Sequence, residues 1–474
     1  MRSHEAGALH AEGGHRGPSW LRPPQDVNAL VPALWARSVY RGDGGELTVD
    51  GLDVREIAGE FGTPAYVIDE DDFRSRASDF KEAFDEVFQD LCGGADVYYA
   101  GKAFLCTAVA RWIQEEGLGL DVCSGGELEV AVRANFPGDR IGFHGNNKSV
   151  TEIEAALSYG VGRIVVDSFE EIERVAAAAQ NLGVAAPVMV RVTVGVEAHT
   201  HEYIATAHED QKFGFSLAGG EAAEAVRRIL EQPAYLSLLG LHSHIGSQIF
   251  DTSGFEVATR RVLGLHLEVA REHGVRLAEL DLGGGFGIAY TTQHDPSTPR
   301  ELATGMAQIL QRECLAEGMP IPKISVEPGR AIAGPSTFTL YKVGTVKEVR
   351  LDGDASRTYV AVDGGMSDNV RPALYDADFS CTIANRVSQA TPALARVVGK
   401  HCESGDIVVK DEFLPSDVQA GDLVAVPGTG AYCRSLSSQY NHTPRPPVVA
   451  VRGGVAREIV RRETIEDILA LDVD

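Results

Sequence analysis

Nothing in this sequence of 474 residues is apolar for long enough to cross a bilayer as a helix, which takes roughly 20 consecutive residues, so a helical membrane span is excluded. A surplus of positive charge is missing too. The 43 Lys and Arg against 68 Asp and Glu leave a formal charge of −25, which argues against nonspecific binding to nucleic acid or to an anionic membrane surface. Solubility is the plainer reason for the acidity. The seven cysteines, at 92, 106, 123, 314, 381, 402 and 433, are odd in number and show no Cys-x-x-Cys spacing. That scatter speaks against a disulfide framework or structural zinc and for reduced thiols in the cytoplasm. A dinucleotide fingerprint is absent as well, because the run Gly283-Gly284-Gly285-Phe286-Gly287 is followed by Ile288 where the pattern needs a glycine or alanine. Residues 1–29, rich in Gly, His, Arg and Pro, hold no apolar stretch of the kind a signal peptide needs, and read as a mobile extension or a misassigned start.

What is present is an ordinary globular composition, 44% hydrophobic and 23% charged, over a length that implies two or three domains. Short β-type runs at 97–100, 118–122, 140–143, 163–166, 188–194, 238–242, 279–282 and 323–326 alternate with helical patterns at 108–116, 127–134, 150–159, 170–182, 221–231, 254–273 and 301–317. Eight strands separated by helices over about 250 residues describe a parallel (β/α)8 TIM barrel, with a doubly wound sheet as the competing α/β architecture. After Gly334 the period falls to two, as expected of a mostly antiparallel C-terminal β domain, and strands before residue 70 complete it. The expected organisation is a flexible extension over 1–35, N-terminal strands over 36–75, the barrel over 76–335 and the β domain over 336–474.

In such a barrel the chemistry collects at the carboxyl ends of the strands. The run Val97-Tyr98-Tyr99-Ala100-Gly101 delivers Lys102 at the tip of an apolar strand. Burial there would push the amine toward its neutral, nucleophilic form; the plainer role is a lysine that reaches solvent or pairs with a carboxylate. Later strands lead into Asp121, Cys123 and Ser124, into His144 and Asn147, into Arg191, into His242 and His244, into the glycine run and into Glu327-Pro328-Gly329-Arg330. The glycines of the last two loops suit a phosphate, since bare backbone N–H groups approach it most closely, although tight turns account for them equally well. A phosphate site opposite a strand-end lysine suggests a phosphorylated aldehyde held as a Schiff base, and pyridoxal 5'-phosphate fits. Glu327 would then keep the pyridine nitrogen protonated, or simply pair with Arg330. His244 would lie on the ring face, or be a buried histidine satisfied by a carbonyl.

The segments Tyr-Tyr-Ala-Gly-Lys-Ala at 98–103, His-Ser-His-Ile-Gly-Ser-Gln at 242–248, Gly-Gly-Gly-Phe-Gly at 283–287, Glu-Pro-Gly-Arg at 327–330, Cys-Glu-Ser-Gly-Asp at 402–406 and Gly-Ala-Tyr at 430–432 resemble the diaminopimelate decarboxylases. These belong to the alanine-racemase-like, ornithine-decarboxylase-like class of pyridoxal-phosphate enzymes. The resemblance runs from about residue 40 to residue 450. It implies that Lys102 carries the cofactor, that His244 stacks on its ring, and that Glu327 pairs with the pyridinium. It implies that Ser247, Gly284, Gly285, Gly329, Arg330 and Tyr432 hold the phosphate. Arg330, Arg371, Tyr375, Glu403 and Tyr432 would meet the substrate, as guanidinium forks suit carboxylates and an acid suits an ammonium. Cys402 resembles the proton donor of the class, which in these homodimers reaches the cofactor of the neighbouring subunit. The implied activity is decarboxylation of meso-2,6-diaminopimelate at its D centre to L-lysine and carbon dioxide, the last step of lysine biosynthesis, with no metal, nucleic acid or membrane involved.

Other readings differ at particular residues. A related ornithine, arginine or carboxypolyamine decarboxylase would carry an aspartate after the catalytic cysteine, where this chain has Glu403. An alanine-type racemase would put an arginine at the pyridine nitrogen, against Glu327. A metal-dependent barrel hydrolase is suggested by His242 and His244 at i, i+2, but such enzymes carry the pair on the first strand rather than the sixth. A non-catalytic cofactor-binding protein would lack the β domain that carries Cys402, Glu403 and Tyr432.

Overall fold

The computed structural model of the chain describes residues 17–195, 212–350 and 356–473, so residues 1–16 of the expected extension lie outside it. The described chain divides into two compact units. One runs Arg74–Gly287 and Pro296–Ile332; the other takes the chain up to Phe73, Ile288–Asp295, and everything from Ala333 on.

The first unit is built on eight strands: β1 (Ala95–Ala100), β2 (Gly119–Val122), β3 (Ile141–Phe143), β4 (Arg163–Val166), β5 (Ala186–Thr193), β6 (Leu236–His242), β7 (Glu279–Asp281) and β8 (Lys323–Val326). Each pairs in parallel with the next. Strand β8 returns to β1 with Ile324 opposite Ala95 and Val326 opposite Val97, which closes the barrel and sets aside the open doubly wound sheet. The runs of Val, Ile and Leu are buried on both faces, as parallel strands covered by helices must be.

Local chemistry marks the helix ends that bring the chain back to each strand. Ser149 and Thr298 form capping boxes with Glu152 and Glu301, and Ser124 and Ser168 accept N-terminal backbone N–H groups. Gly160, Gly183 and Gly318 close their helices in the left-handed conformation. The observed helices Val150–Tyr159 and Ser253–His273 lie within a residue of the expected spans. A two-residue strand, Phe215–Ser216, adds to the edge of β5; so short a strand carries no periodicity to read.

In the second unit the strand Thr337–Arg350 is central. It pairs antiparallel with Ser356–Val362, with Leu423–Pro427 and with Ala65–Asp69. Ala65–Asp69 comes from the N-terminal part and is buried along all five residues; it also pairs in parallel with Val448–Arg452. The sheet is thus mostly antiparallel and is completed by an N-terminal strand. Its core gathers Leu34, Trp35, Leu47, Val49, Val67, Phe338, Leu340 and Val449, with Trp35 and Phe338 ring centroids 6.0 Å apart. Upstream of it, the Asn28 side chain exchanges two hydrogen bonds of 2.8 Å with the Ser388 backbone. Among the described residues no helix is long and apolar enough to cross a membrane.

Candidate active site

Lys102 lies in the single turn Gly101–Ala103 that continues β1, with both neighbours buried and its own side chain exposed. The burial expected from its apolar strand does not occur. Val97 and Tyr99 remain in the core while the turn carries Lys102 off the sheet, into a cavity of about 760 Å³ lined by residues that follow the barrel strands.

The cavity wall opposite in sequence is acidic and imidazole-rich. Glu327, one residue past β8, places Oε1 3.0 Å from His242 Nε2 and 3.4 Å from His144 Nε2, and that same His144 nitrogen stands 3.1 Å from Asp121 Oδ1. The four side chains are buried. The pairs are close without being aligned as hydrogen bonds, so Glu327 Oε1, both Asp121 oxygens, His144 Nε2 and both His242 nitrogens have no hydrogen-bond partner. Burial works to raise the Glu327 carboxyl, but the two histidines outweigh it and hold the group well below the usual carboxylate range. Burial, and then the Glu327 charge, push Asp121 well above that range. Burial draws His144 down to about 4, although the charges of Glu327 and Asp281 favour its protonated form.

His244 is two residues past the end of β6. Its Nδ1 accepts the Gly284 N–H at 3.2 Å, which fixes the ring; burial first and the neighbouring Lys102 charge next drive its pKa well below the ordinary value, so the imidazole is neutral. Gly284 and Gly285 run tightly beneath it. A Cβ at Gly284 would stand 2.2 Å from the Glu327 carbonyl oxygen, and one at Gly285, where φ is +98°, 2.2 Å from that of Gly246. Beside them Arg330, itself buried, donates from Nη2 to Ser247 Oγ at 2.7 Å, and Gly329 packs on Ala100. Lys102, His244 and Glu327 therefore share one cavity, with Ser247, Gly284, Gly285, Gly329 and Arg330 on the adjoining loops.

The remaining candidates belong to the second unit. Arg371, only 7% exposed, has the rings of Tyr290, Tyr375 and Tyr432 around its guanidinium, each centroid 5.6 Å from Cζ. Its Nε is buried without a hydrogen-bond partner, leaving a donor for an anion. Tyr432 holds φ at +65°, a strained conformation for a bulky side chain and one that collects at functional sites. Tyr375 is exposed. Cys402 is exposed, and the Glu403 carboxylate accepts from the Gly405 N–H at 3.2 Å.

Three residues of the rim cluster were legible only in part. Asp121 and His144 stand out in the sequence as polar strand-end residues without a role, and His242 only as half of a metal pair with His244. The alternation that puts i and i+2 on one face ends with β6 at His242. Instead His144, His242 and Glu327 bring three ligand atoms within 4.8 Å of one another. Arg163 carries no motif that would mark it in the sequence. It lies in the barrel interior, where it donates to Asp281 Oδ2 at 2.8 Å and Ser325 Oγ at 2.9 Å and stacks over Tyr98.

A pyridoxal-type cofactor fits these residues: an accessible amine, a neutral imidazole held by a backbone N–H, an ionised acid with an open oxygen, and loops whose glycines leave no room for Cβ atoms. Residues 70–334 match the family described as pyridoxal-dependent decarboxylase, pyridoxal binding domain. The chain is 56% identical over 448 residues to the diaminopimelate decarboxylase of Mycobacterium tuberculosis, covering 94% of this chain and 98% of that one. With the diaminopimelate decarboxylase of Bacillus subtilis it shares 46% over 431 residues, 90% and 95% of the two chains. The crystal structure of diaminopimelate decarboxylase from M. jannaschii in co-complex with L-lysine superposes with a TM-score of 0.86 at 32% identity, covering 93% of this chain and 98% of that one.

Proposed function

The chain belongs to the diaminopimelate decarboxylases, within the pyridoxal-dependent decarboxylases, and from that premise we propose how its residues divide the work. It is a pyridoxal-phosphate-dependent carboxy-lyase that converts diaminopimelate to lysine and carbon dioxide. The meso isomer is its substrate and the D centre the one that loses carbon dioxide. The observation that carries the reading is the exposed Lys102 sharing a cavity with an ionised Glu327 whose Oε1 takes no aligned hydrogen bond.

When bound, the cofactor supplies the electron sink for the pair of electrons left on carbon as carbon dioxide departs. Lys102 Nζ is the amine that would hold the cofactor through its aldehyde carbon. Glu327, held ionised by the histidines around it, would keep the proton on the pyridine nitrogen. The neutral His244 ring would face the cofactor ring, where an uncharged imidazole adds no positive charge to the π system. Ser247, Gly284, Gly285, Gly329, Arg330 and Tyr432 hold the phosphate. Arg371, with its open Nε, and Arg330 take the carboxylate of the substrate centre that does not react, Tyr375 lies beside it, and Glu403 takes that centre's ammonium. Cys402 gives its thiol proton to the carbon that has lost carbon dioxide.

Active sites are shared within a homodimer. Supporting this, Cys402 is exposed on the single chain, and so are the large apolar side chains Leu374 and Tyr375 nearby in sequence to Arg371. Mixing inactive Lys102→Ala and Cys402→Ala proteins should restore activity through hybrid dimers; failure of two well-folded variants to complement would contradict shared sites. We place the protein in the cytoplasm, a reading supported by seven free thiols.

Carbon dioxide release by the purified, cofactor-supplemented protein tests the substrate. Release from meso-diaminopimelate with lysine as product is expected. Equal release from the L,L isomer would overturn the stereochemical assignment, and preference for ornithine or arginine would overturn the roles of Arg371 and Glu403.

A further inference from the structure

Cys402 sits on the loop between the strands Pro392–Val398 and Ile407–Pro415, exposed to solvent. Exposed loops wander on the nanosecond to microsecond scale, whereas a proton donor misplaced by about 1 Å can cost on the order of a hundredfold in rate. Something must hold this loop.

The structure supplies it in the side chains of His401 and Asn441. His401 is buried and both ring nitrogens are engaged: Nε2 lies 2.8 Å from Ser367 Oγ, and Nδ1 3.1 Å from Asn441 Oδ1. An amide oxygen only accepts, so Nδ1 carries the hydrogen. The same Asn441 oxygen accepts the backbone N–H of Cys402 at 3.3 Å. Asn441 reaches both donors from a left-handed backbone, φ 53° and ψ 30°, which asparagine tolerates better than most residues. Around this point three loops are tied together. The His401 N–H donates to Asp406 Oδ2 at 2.8 Å, and Asp406 Oδ1 accepts the Met366 N–H at 2.6 Å. The Lys400 N–H donates to the Gly364 carbonyl at 2.9 Å, and the Ser438 N–H to that of Ser367 at 2.8 Å. Gly399 lies so close to Gly365 that a Cβ on it would stand 2.5 Å from the Gly365 Cα. The loop 364–370 leads directly into Arg371, and 433–442 follows Tyr432.

We infer that His401 and Asn441 are positioning residues for Cys402 and Glu403, locking the proton-donating loop to the loops that present Arg371 and Tyr432. The inference rests on the reading of Cys402 as the donor. In that step the carbon–carbon bond breaks, carbon dioxide leaves, the remaining electron pair takes the thiol proton to form a carbon–hydrogen bond, and the thiolate regains a proton from water.

The test uses the cofactor-loaded protein and compares Asn441→Ala, His401→Ala and Asn441→Asp, which keeps the accepting oxygen. The readouts are kcat, KM, the alkylation rate of Cys402 by iodoacetamide, and the facial purity of the new carbon–deuterium bond after turnover in D2O. The alanine variants should lose on the order of tenfold in kcat, alter the alkylation rate and scramble the deuterium label, while Asn441→Asp recovers most of each. Should either alanine variant fail to fold, Ser367→Ala, which removes only the Nε2 contact, should show the same changes in milder form. Wild-type kcat and a single labelled face in folded variants would overturn the inference. Cys402→Ala separates the premise: full activity in that variant would refute the donor role itself.

Discussion

Two acids just past barrel strands are both buried, and their surroundings differ in one respect. Glu171, after β4, has every acceptor filled from within: Lys148 Nζ donates to Oε1 at 2.9 Å and the Asp167 N–H to Oε2 at 2.7 Å. Lys148 uses its other protons on the carbonyls of Gly145 and Val165, both at 2.7 Å. Glu327, after β8, has two histidines beside Oε1 and no aligned hydrogen bond on it. The lysines differ in exposure, Lys148 being buried and Lys102 exposed where it lines the cavity. A buried ionic group satisfied by its own chain serves the fold; one left open beside a cavity is kept for a ligand.

That contrast breaks in opposite directions under mutation. Lys102→Ala should abolish turnover, by more than about a thousandfold in kcat, with an unchanged melting temperature. Glu327→Gln should lower kcat by on the order of a hundredfold, again with little loss of stability, because a neutral amide cannot hold the pyridinium proton. Lys148→Met should do the reverse. Stranding Glu171 without its partner costs about 3–5 kcal/mol by chemical denaturation, while the kcat of the folded fraction stays near wild type. A stability loss in Glu327→Gln as large as in Lys148→Met would erase the distinction.

The smallest effect concerns two histidines that burial draws down to about 4, His144 in the rim cluster and His266 in the helix Ser253–His273. For His266 burial is the only cause. Its unfolded form binds a proton near pH 6.5 and its folded form only near 4, so the folded state loses stability as pH falls through that window, by about 1.4 kcal/mol per pH unit at most. His266→Phe should flatten the acid limb of the stability profile and leave the activity profile alone, whereas His144→Phe should disturb both.

Much of this arrangement could be read from residue order. The barrel strands and helices declared themselves through periodicity and through Ser, Thr and Gly at the helix ends, and Lys102 through its place after an aromatic strand. The rim cluster could not, since Asp121, His144, His242 and Glu327 come from four strands whose inward directions appear only when β8 meets β1. Nor could the difference between Lys102 and Lys148, because it depends on Glu171 and the Val165 carbonyl, 23 and 17 residues from Lys148. The role of His401 beside Cys402 is hidden for the same reason: Ser367 and Asn441 lie 34 and 40 residues away.

The most direct test of the open-against-sealed distinction is to load the protein with pyridoxal phosphate, reduce it with borohydride so that the cofactor is fixed to whichever amine holds it, and map the labelled peptide. Label on Lys102 alone is the expected result. Label on Lys148, or spread over exposed lysines with Lys102 unmodified, would contradict the account.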